Sequence, residues 1–416
     1  MRKCVKSIFQ YIAITALLMV GYIANILMAS AIPVDYVRAN LSEAYQVFVK
    51  EGLYPNAFGN NLGFYDNFTD VITCNIILNQ NNEHIIQSGV ANNFVRNEGE
   101  NVIDAFGRAL EEGGTTQPYS NFWLGSILFI KLMLIFFDWG EIRYLIFVLT
   151  MILHIALAIL LNNKINMRAM LAYLFCIVLF CLPYNSGCIH SATDIILMEI
   201  SCIIGLLYYD KLKPEIGKGR YEFFFIIGAL QFFWSYIYTP MYSLGMLLLF
   251  MYLQDNRSIS KVGTKLRYVG LETLFWVGGY GVTALSKQVL AKVVLGSQIG
   301  TGKLKQWGAS TISDRLTAFL KPIKSFDIAP IKFVILALLA VLVLLIILKC
   351  IKFTISKENL KNGLIMIAIG ATVAYVWFAI LCNAVGHAWY CQNLLAFVFS
   401  IAYMILGCIK ERGRSR

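Results

Sequence analysis

Apolar runs of about twenty residues recur along most of the chain and are separated by short polar connections. A helix of roughly 20 apolar residues spans the hydrocarbon core of a bilayer, so the pattern predicts transmembrane helices. The first run covers residues 8–32, a long polar segment follows at 33–120, and the remaining bundle occupies 121–409. The later runs are 121–137, 143–162, 169–184, 190–208, 221–237, 239–253, 268–285, 331–348, 363–381 and 388–409.

These runs predict an all-α polytopic membrane bundle of about ten (10–11) transmembrane helices, forming a single integral membrane domain over residues 1–416. Eleven full crossings would place the two termini on opposite sides of the membrane. The pair 169–184 and 190–208 is the best candidate for an incomplete crossing, because Pro183 and Gly187 interrupt it. Irregular backbone at membrane depth is tolerated only where it is buried or lines a water-filled cavity.

Composition supports a membrane protein and excludes other classes. Hydrophobic residues make up 58% of the chain and charged residues 14%, whereas an average soluble domain has roughly 25% charged residues. A compact soluble enzyme and a disordered scaffold are therefore excluded. Nucleic acid is not an expected partner despite the net charge of +11, because the basic residues lie between apolar runs and form no single patch.

The charges are distributed unevenly along the chain. Residues 33–120 contain eleven acidic and four basic residues, which favours an extracytoplasmic position for this first loop. The connections at 211–220, 257–267 and 349–361 and the C-terminal tail are basic, and basic residues concentrate in cytoplasmic loops. The chain is therefore predicted to be a multi-pass protein of the plasma membrane with both termini in the cytoplasm, and 8–32 to be a retained signal anchor.

The first loop begins with a helical stretch at 37–49 and then becomes rich in Asn, Gly and aromatic residues. Asn and Gly favour turns, so we expect short helices at the membrane interface, joined by turns. Residues 92–117 are expected to be mobile, because 96–100 and 111–116 are polar and show no period.

Two carboxylates in the first loop are candidates for catalysis. Asp66 and Asp70 lie four residues apart among aromatic residues, so one turn would bring both to one site. An apolar neighbourhood raises the pKa of a carboxyl group, which suits a general base. Each can instead cap a turn or a helix start. Asp35 follows the first span directly, where a lipid-linked head group would lie, and its alternative role is to cap a helix over 36–49.

The predicted outer loop at 286–330 is rich in basic residues. Lys303, Lys305 and Arg315 are candidates to hold a phosphate or pyrophosphate through charge-assisted hydrogen bonds. The alternative is contact between this loop and anionic lipid head groups.

A short connection near the C-terminus joins two strongly apolar runs at 383–390. His387 in this connection can shuttle a proton or bind a sugar hydroxyl. Trp389 can stack on a sugar ring, or it can belong to the aromatic belt of the membrane interface.

Ionisable residues within apolar runs are further candidates, because a charge is costly in lipid. They are Lys131, His154, Asp194, Glu199, Glu272 and Lys287. The lysines can instead reach the interface with their ammonium groups, and Glu199 can pair with a buried base for structural reasons alone. No cofactor is indicated, because the acidic pair in the first loop is too sparse to demand an ion, and the sequence leaves metal dependence open.

Five short stretches, scattered over most of the chain, carry a family resemblance. They are Glu51-Gly52-Leu53-Tyr54-Pro55, Tyr65-Asp66-Asn67-Phe68-Thr69-Asp70, Tyr119-Ser120-Asn121-Phe122-Trp123-Leu124-Gly125, Trp276-Val277-Gly278-Gly279-Tyr280 with Lys287, and Asn383 with His387. Together with the first span and the acidic outer loop, they resemble the GT-C superfamily of membrane glycosyltransferases, which take sugars from polyprenyl-phosphate carriers. The closer likeness is to polytopic proteins of Gram-positive bacteria found with surface-polysaccharide genes.

The resemblance implies roles for several residues of this chain. Asp66 or Asp70 would match the acidic catalytic position, with Asp35 as the alternative. Lys287 and the basic loop would face the carrier phosphate, and Asn383 would belong to the substrate site.

The leading hypothesis is an inverting transfer of sugar from a polyprenyl-phosphate sugar to a glycan or glycolipid acceptor on the outer membrane face, in surface-glycan assembly. The alternatives are a transporter, flippase or polymerase-like handler of lipid-linked glycans, and a diverged, non-catalytic membrane subunit. An enzyme predicts that Asp66 and Asp70 point into one cavity with a basic group opposite. A transporter predicts a polar pathway through Asp194, Glu199 and Glu272.

Overall fold

The computed structural model describes residues 2–56, 63, 65–213, 219–235, 239–296, 351–353, 356–376 and 391–411, and this part of the chain is mostly helical. Its α-helices are α1 (Arg2–Ala31), α2 (Arg38–Glu51), α3 (Asn67–Leu78), α4 (Ile85–Ala91), α5 (Val102–Glu111), α6 (Ser126–Leu134), α7 (Trp139–Lys164), α8 (Met167–Leu179), α9 (Leu182–Asn185), α10 (Ile189–Leu207), α11 (Gly219–Trp234), α12 (Met241–Ser258), α13 (Val262–Leu295), α14 (Lys357–Val376) and α15 (Leu395–Gly407). It also contains 3-10 turns at Val34–Tyr36, Tyr209–Leu212 and Cys391–Leu394. Two antiparallel strand pairs complete it: β1 (Asn93–Val95) with β2 (Thr116–Pro118), and β3 (Ile351–Phe353) with β4 (Ile409–Glu411).

Four helices in the described ranges are long and apolar enough to cross a membrane. They are Ile8–Ala31 of α1, Trp139–Lys164 (α7), Ile189–Leu207 (α10) and Lys357–Val376 (α14). The prediction of an all-α chain is confirmed in its coarse form, and these four helices are candidate membrane spans. The total of about ten crossings stays a prediction, and the run 331–348 lies outside the described residues.

The predicted interruption at Pro183 and Gly187 is confirmed. α8 ends at Leu179, Cys181 takes a left-handed φ of 50°, and the single turn of α9 carries Pro183 near its start. α10 then begins at Ile189. With 13 residues, α8 is roughly 20 Å long, which is shorter than the roughly 30 Å hydrocarbon core.

α12 is the central helix of the bundle. All its residues from Met241 to Asp255 are buried, as expected of a helix whose sequence is apolar on every side. It shares one hydrophobic core with the C-terminal half of α7 and with α8, α10, α11, α13, α14 and α15. This core packs the described helices from α7 onward against one another.

α11 and α13 approach each other closely because both present glycine at their interface. A Cβ atom on Gly228 would lie 2.0 Å from the carbonyl oxygen of Trp276, and one on Gly279 would lie 1.9 Å from that of Phe225. Small residues of this kind let helix backbones pack closely in membranes. Replacing either glycine would force the helices apart.

The first loop packs onto the membrane helices through a second hydrophobic core. Phe48 of α2, Ile76 of α3 and Phe106 of α5 are fully buried there, together with residues from the end of α1, from α6 and from the start of α7. Phe48 meets Trp139 of α7 edge to face at 5.3 Å between ring centroids. The elements of the first loop and the first turns of α7 are thereby held against one another.

Residues 92–117, expected from sequence to be mobile, form regular structure instead. They contain α5 and β1, and their last two residues begin β2. Asn101 caps α5 by accepting the Ile103 N–H, and the helix buries Phe106 on its inner face. The sequence interpretation was wrong because the polar flanks 96–100 and 111–116 hid the ten-residue amphipathic helix between them.

Candidate functional site

The two candidate carboxylates of the first loop lie together at the start of α3. Asp66 is the N-cap residue: its side chain accepts the Thr69 N–H at 3.2 Å and the Thr69 hydroxyl at 2.7 Å. Asp70 follows one turn later, and each residue is only 1% exposed. The capping role that the sequence left open is therefore confirmed for Asp66, whereas the Asp70 side chain contacts α10.

Asp70 reaches across to the N-terminus of α10. Its two carboxylate oxygens accept the backbone N–H groups of Ile189, at 3.1 Å, and His190, at 3.2 Å. The N-cap residue of α10, Cys188, makes no side-chain capping bond, so Asp70 satisfies these donors from a distant part of the chain. A carboxylate at a helix N-terminus is also stabilised by the helix dipole.

The surroundings of Asp70 bring its titration close to neutral pH. Burial raises the pKa of its carboxyl group from 3.8 to about 7, even though Arg143 and the two backbone N–H groups act in the opposite direction. The neighbouring charge of Asp66 raises the pKa further. A carboxyl group that titrates near neutrality suits a general acid or base, because both protonation states are populated there.

Arg143 supplies the basic group beside the two carboxylates. It lies in the first turns of α7 and donates to both oxygens of Glu51 at 2.9 Å and to the Asn67 side-chain oxygen at 2.8 Å. Asn67 in turn donates to Glu51 at 3.0 Å. Sequence reasoning missed Arg143, although a lone arginine at the edge of an apolar run is a signal of a polar site.

Aromatic side chains form one wall of the carboxylate cluster. Tyr65 stacks on Tyr184 with ring centroids 4.5 Å apart, and the Arg143 guanidinium lies 4.8 Å from the Tyr65 centroid. Gly187 makes room for this arrangement, because a Cβ there would lie 2.5 Å from the Tyr65 hydroxyl. Burial raises the pKa of Tyr65 to about 12, so the phenol stays neutral.

Two other predicted residues do not join this cluster. Asp35 is exposed, and it does not cap the following helix, whose N-cap is Val37 without a side-chain bond. Lys287 is fully buried in α13, donates to the Val90 carbonyl at 2.8 Å and lies 5.4 Å from the Trp123 ring centroid. Its contacts are thus with protein groups of α4 and the segment before α6.

The remaining predicted binding residues lie outside the described part of the chain. They are Lys303, Lys305, Arg315, Asn383, His387 and Trp389. Their roles in phosphate or sugar binding stay predictions.

Among the described residues, three buried polar clusters lie between the helices from α7 to α13. Glu199 accepts a hydrogen bond from Tyr173 at 2.7 Å and pairs with His154. Asp194 accepts bonds from Gln231 and from Thr239, each at 2.6 Å.

The third cluster lies at the other end of α11. Arg220 binds Asp255 with two hydrogen bonds of 2.8 and 2.9 Å and pairs with Glu272 at 2.5 Å. The three carboxylates predicted within apolar runs, Asp194, Glu199 and Glu272, therefore each contact a polar or basic side chain of another helix.

Comparison of the chain with protein-family models, with curated proteins and with solved structures finds no match. Among the residues that the structure describes, no three His, Cys, Asp or Glu side chains are grouped so that they could hold a metal ion.

Proposed function

We propose that this chain is a multi-pass membrane glycosyltransferase of the GT-C type, which uses a polyprenyl-phosphate sugar on the outer face of a bacterial plasma membrane. The observation that carries the proposal is the buried pair Asp66 and Asp70 beside Arg143, with Asp70 titrating near neutral pH. The acceptor would be a glycan or glycolipid in surface-glycan assembly.

Asp70 is the proposed general base. It would take the proton of the acceptor hydroxyl as that oxygen bonds to the anomeric carbon of the sugar. The bond from that carbon to the carrier phosphate breaks, its electron pair leaves with polyprenyl phosphate, and the configuration inverts. Asp66 would act as a positioning residue, because it orders the first turn of α3 through Thr69 and raises the pKa of Asp70.

The test is sugar transfer by the full chain in proteoliposomes with radiolabelled polyprenyl-phosphate sugars. Asp70→Asn and Asp66→Asn are compared with the parent, and Asp104→Asn is the matched control because Asp104 is an exposed acid of the same loop. We expect transfer to be lost in Asp70→Asn and kept in the control, with normal membrane insertion. Unchanged transfer in both site variants would contradict the proposal, and so would a parent that transfers from no donor.

A row of buried polar side chains on one face of α7 favours the alternative function, a transporter or flippase of lipid-linked glycans. Arg143, Thr150 and His154 are spaced by seven and four residues, so they share one helix face, and all three are buried. Thr150 donates to Ser186 at 3.0 Å, between the Arg143 cluster and the His154–Glu199 pair. This function predicts that Glu199→Gln stops translocation of a fluorescent lipid-linked sugar while Asp70→Asn does not; the reverse result would exclude it.

A further inference from the structure

A cavity of about 580 Å³ lies at the C-terminal end of α3. Ala91, Pro118 and Leu295 form apolar parts of its wall, and amide, imidazole and hydroxyl groups also line it, from Asn79, Asn81, His84, Gln87, Ser88 and Asn93. Because a helix rises about 1.5 Å per residue, Asn79 lies roughly 20 Å along α3 from Asp66 at the other end. The cavity is therefore separate from the carboxylate pair.

An apolar groove of about 540 Å³ adjoins this cavity, and His84 and Gln87 line both spaces. The remaining walls include Leu27, Met28 and Ala31 at the end of α1 and Ile85 and Ile86 at the start of α4. α1 is a candidate membrane span, and most of its side chains face outward from the protein. The groove therefore lies at the C-terminal end of this candidate span.

Two buried lysines hold the walls of the cavity and the groove in place. Lys131 donates to the Ala29 carbonyl at 2.9 Å and to the Gln80 side chain at 2.8 Å, so it joins the end of α1 to the end of α3. Lys287 joins α13 to α4 through Val90. Both side chains are fully buried, and a site whose walls are fixed in advance costs less to order on binding.

The lining of the two spaces specifies the chemistry of a ligand. Side-chain amides and hydroxyls both donate and accept hydrogen bonds, which matches the hydroxyl groups of a sugar. The Asn79 amide already donates to Asn75, and Asn81 and Ser88 accept backbone N–H groups. A ligand would therefore meet chiefly His84, Gln87 and Asn93. Among the described residues that line either space there is no Lys or Arg, and Glu83 lines the groove, so a phosphate would find no strong cationic donor. Each volume also falls within the roughly 300–1,000 Å³ of small-molecule sites.

We infer that the cavity and the groove form one binding site for a glycolipid with an uncharged sugar head group. The sugar occupies the cavity, the lipid chain lies in the groove, and His84 and Gln87 contact the junction between them. Binding at this site does not require transfer at Asp70, since the two sites lie at opposite ends of α3.

The test is native mass spectrometry of the full chain in detergent. The probes are monoglucosyl diacylglycerol, phosphatidylglycerol with the same acyl chains, and diacylglycerol. Gln87→Leu removes the amide at the junction, and Gln46→Leu is the matched control on an exposed position of α2. Asp70→Asn is included as the variant of the other site.

We expect the parent to bind one glucosyl lipid about tenfold more tightly than either other lipid, and Gln87→Leu to lose about tenfold, as for the loss of a good polar contact. Gln46→Leu and Asp70→Asn should bind as the parent does. Equal retention of phosphatidylglycerol or diacylglycerol, or unchanged binding in Gln87→Leu, would overturn the inference. Loss of glycolipid binding in Asp70→Asn would contradict the separation of the two sites.

Discussion

The carboxylate of Asp70 accepts the backbone N–H of Ile189 at 3.1 Å, across 119 residues of sequence. This bond joins the first loop to the start of a candidate membrane span. It gives Asp70 a structural role in addition to the proposed chemical one, so substitutions must distinguish the two. Asparagine keeps an oxygen that can accept these bonds, whereas alanine does not.

Asp70→Ala is expected to lower the free energy of unfolding by about 1–3 kcal/mol, because it leaves buried N–H groups of Ile189 and His190 without an acceptor. Asp70→Asn should cost less. Thermal denaturation in detergent measures both values. Equal losses in the two variants would show that the bonds to α10 contribute nothing.

Stability should depend on pH through Asp70. Its folded-state pKa of about 7 lies above the ordinary value of 3.8, so the folded chain binds a proton that the unfolded chain releases. The contribution of Asp70 to stability is therefore largest below about pH 4 and declines as the pH rises to about 7. Relative to Asp70→Asn, the parent should be less stable near pH 8 than near pH 5; a difference that does not change with pH would contradict this assignment.

Arg143→Gln should destabilise the chain by about 2 kcal/mol, because it removes the ion pair of a largely buried arginine and leaves Glu51 with the Asn67 amide but no cationic partner. It should also raise the pKa of Asp70 further, since Arg143 acts to lower it. The comparison is Arg108→Gln, which breaks the pair with Glu100; its arginine is 25% exposed, against 10% for Arg143, so the effect should be smaller. Denaturation curves that rank the two variants in the opposite order would refute the prediction.

Gly187→Ala is expected to cost about 1–3 kcal/mol, because the added methyl group must displace Tyr65 from its stack on Tyr184. Gly281→Ala is the matched control: a methyl group added there would have no neighbouring atom within 4 Å, and alanine favours a helix over glycine. The measurement is the free energy of unfolding of the two variants, which should fall in Gly187→Ala and not in Gly281→Ala. A neutral Gly187→Ala would show that the aromatic wall rearranges freely.

Lys287→Met tests the phosphate-binding role that the family resemblance implies. The structure predicts a donor KM within about twofold of the parent, because the ammonium group is buried and already bonded to Val90. Lys50→Met on the exposed face of α2 is the control. A large rise in donor KM in Lys287→Met, with normal folding, would instead place this lysine at the carrier phosphate.

The sequence predicted the local features of this chain better than its long-range contacts. Apolar runs located the described helices after residue 120, and the break at Pro183 followed from backbone chemistry. The capping role of Asp66 was visible because its partner, Thr69, is three residues away. By contrast, the contacts of Asp70 with α10 and of Arg143 with Glu51 join distant segments, and no local pattern specifies which distant segments meet.

The most direct test of the central claim is the pH dependence of sugar transfer by the parent and by Asp70→Asn. If Asp70 is the general base, kcat/KM in the parent rises with pH and levels off above an apparent pKa near 7. Asp70→Asn should then lose transfer, and any residual activity should lack this rise. Transfer by Asp70→Asn with the parent's rate and the same pH profile would contradict the assignment of Asp70 as the base.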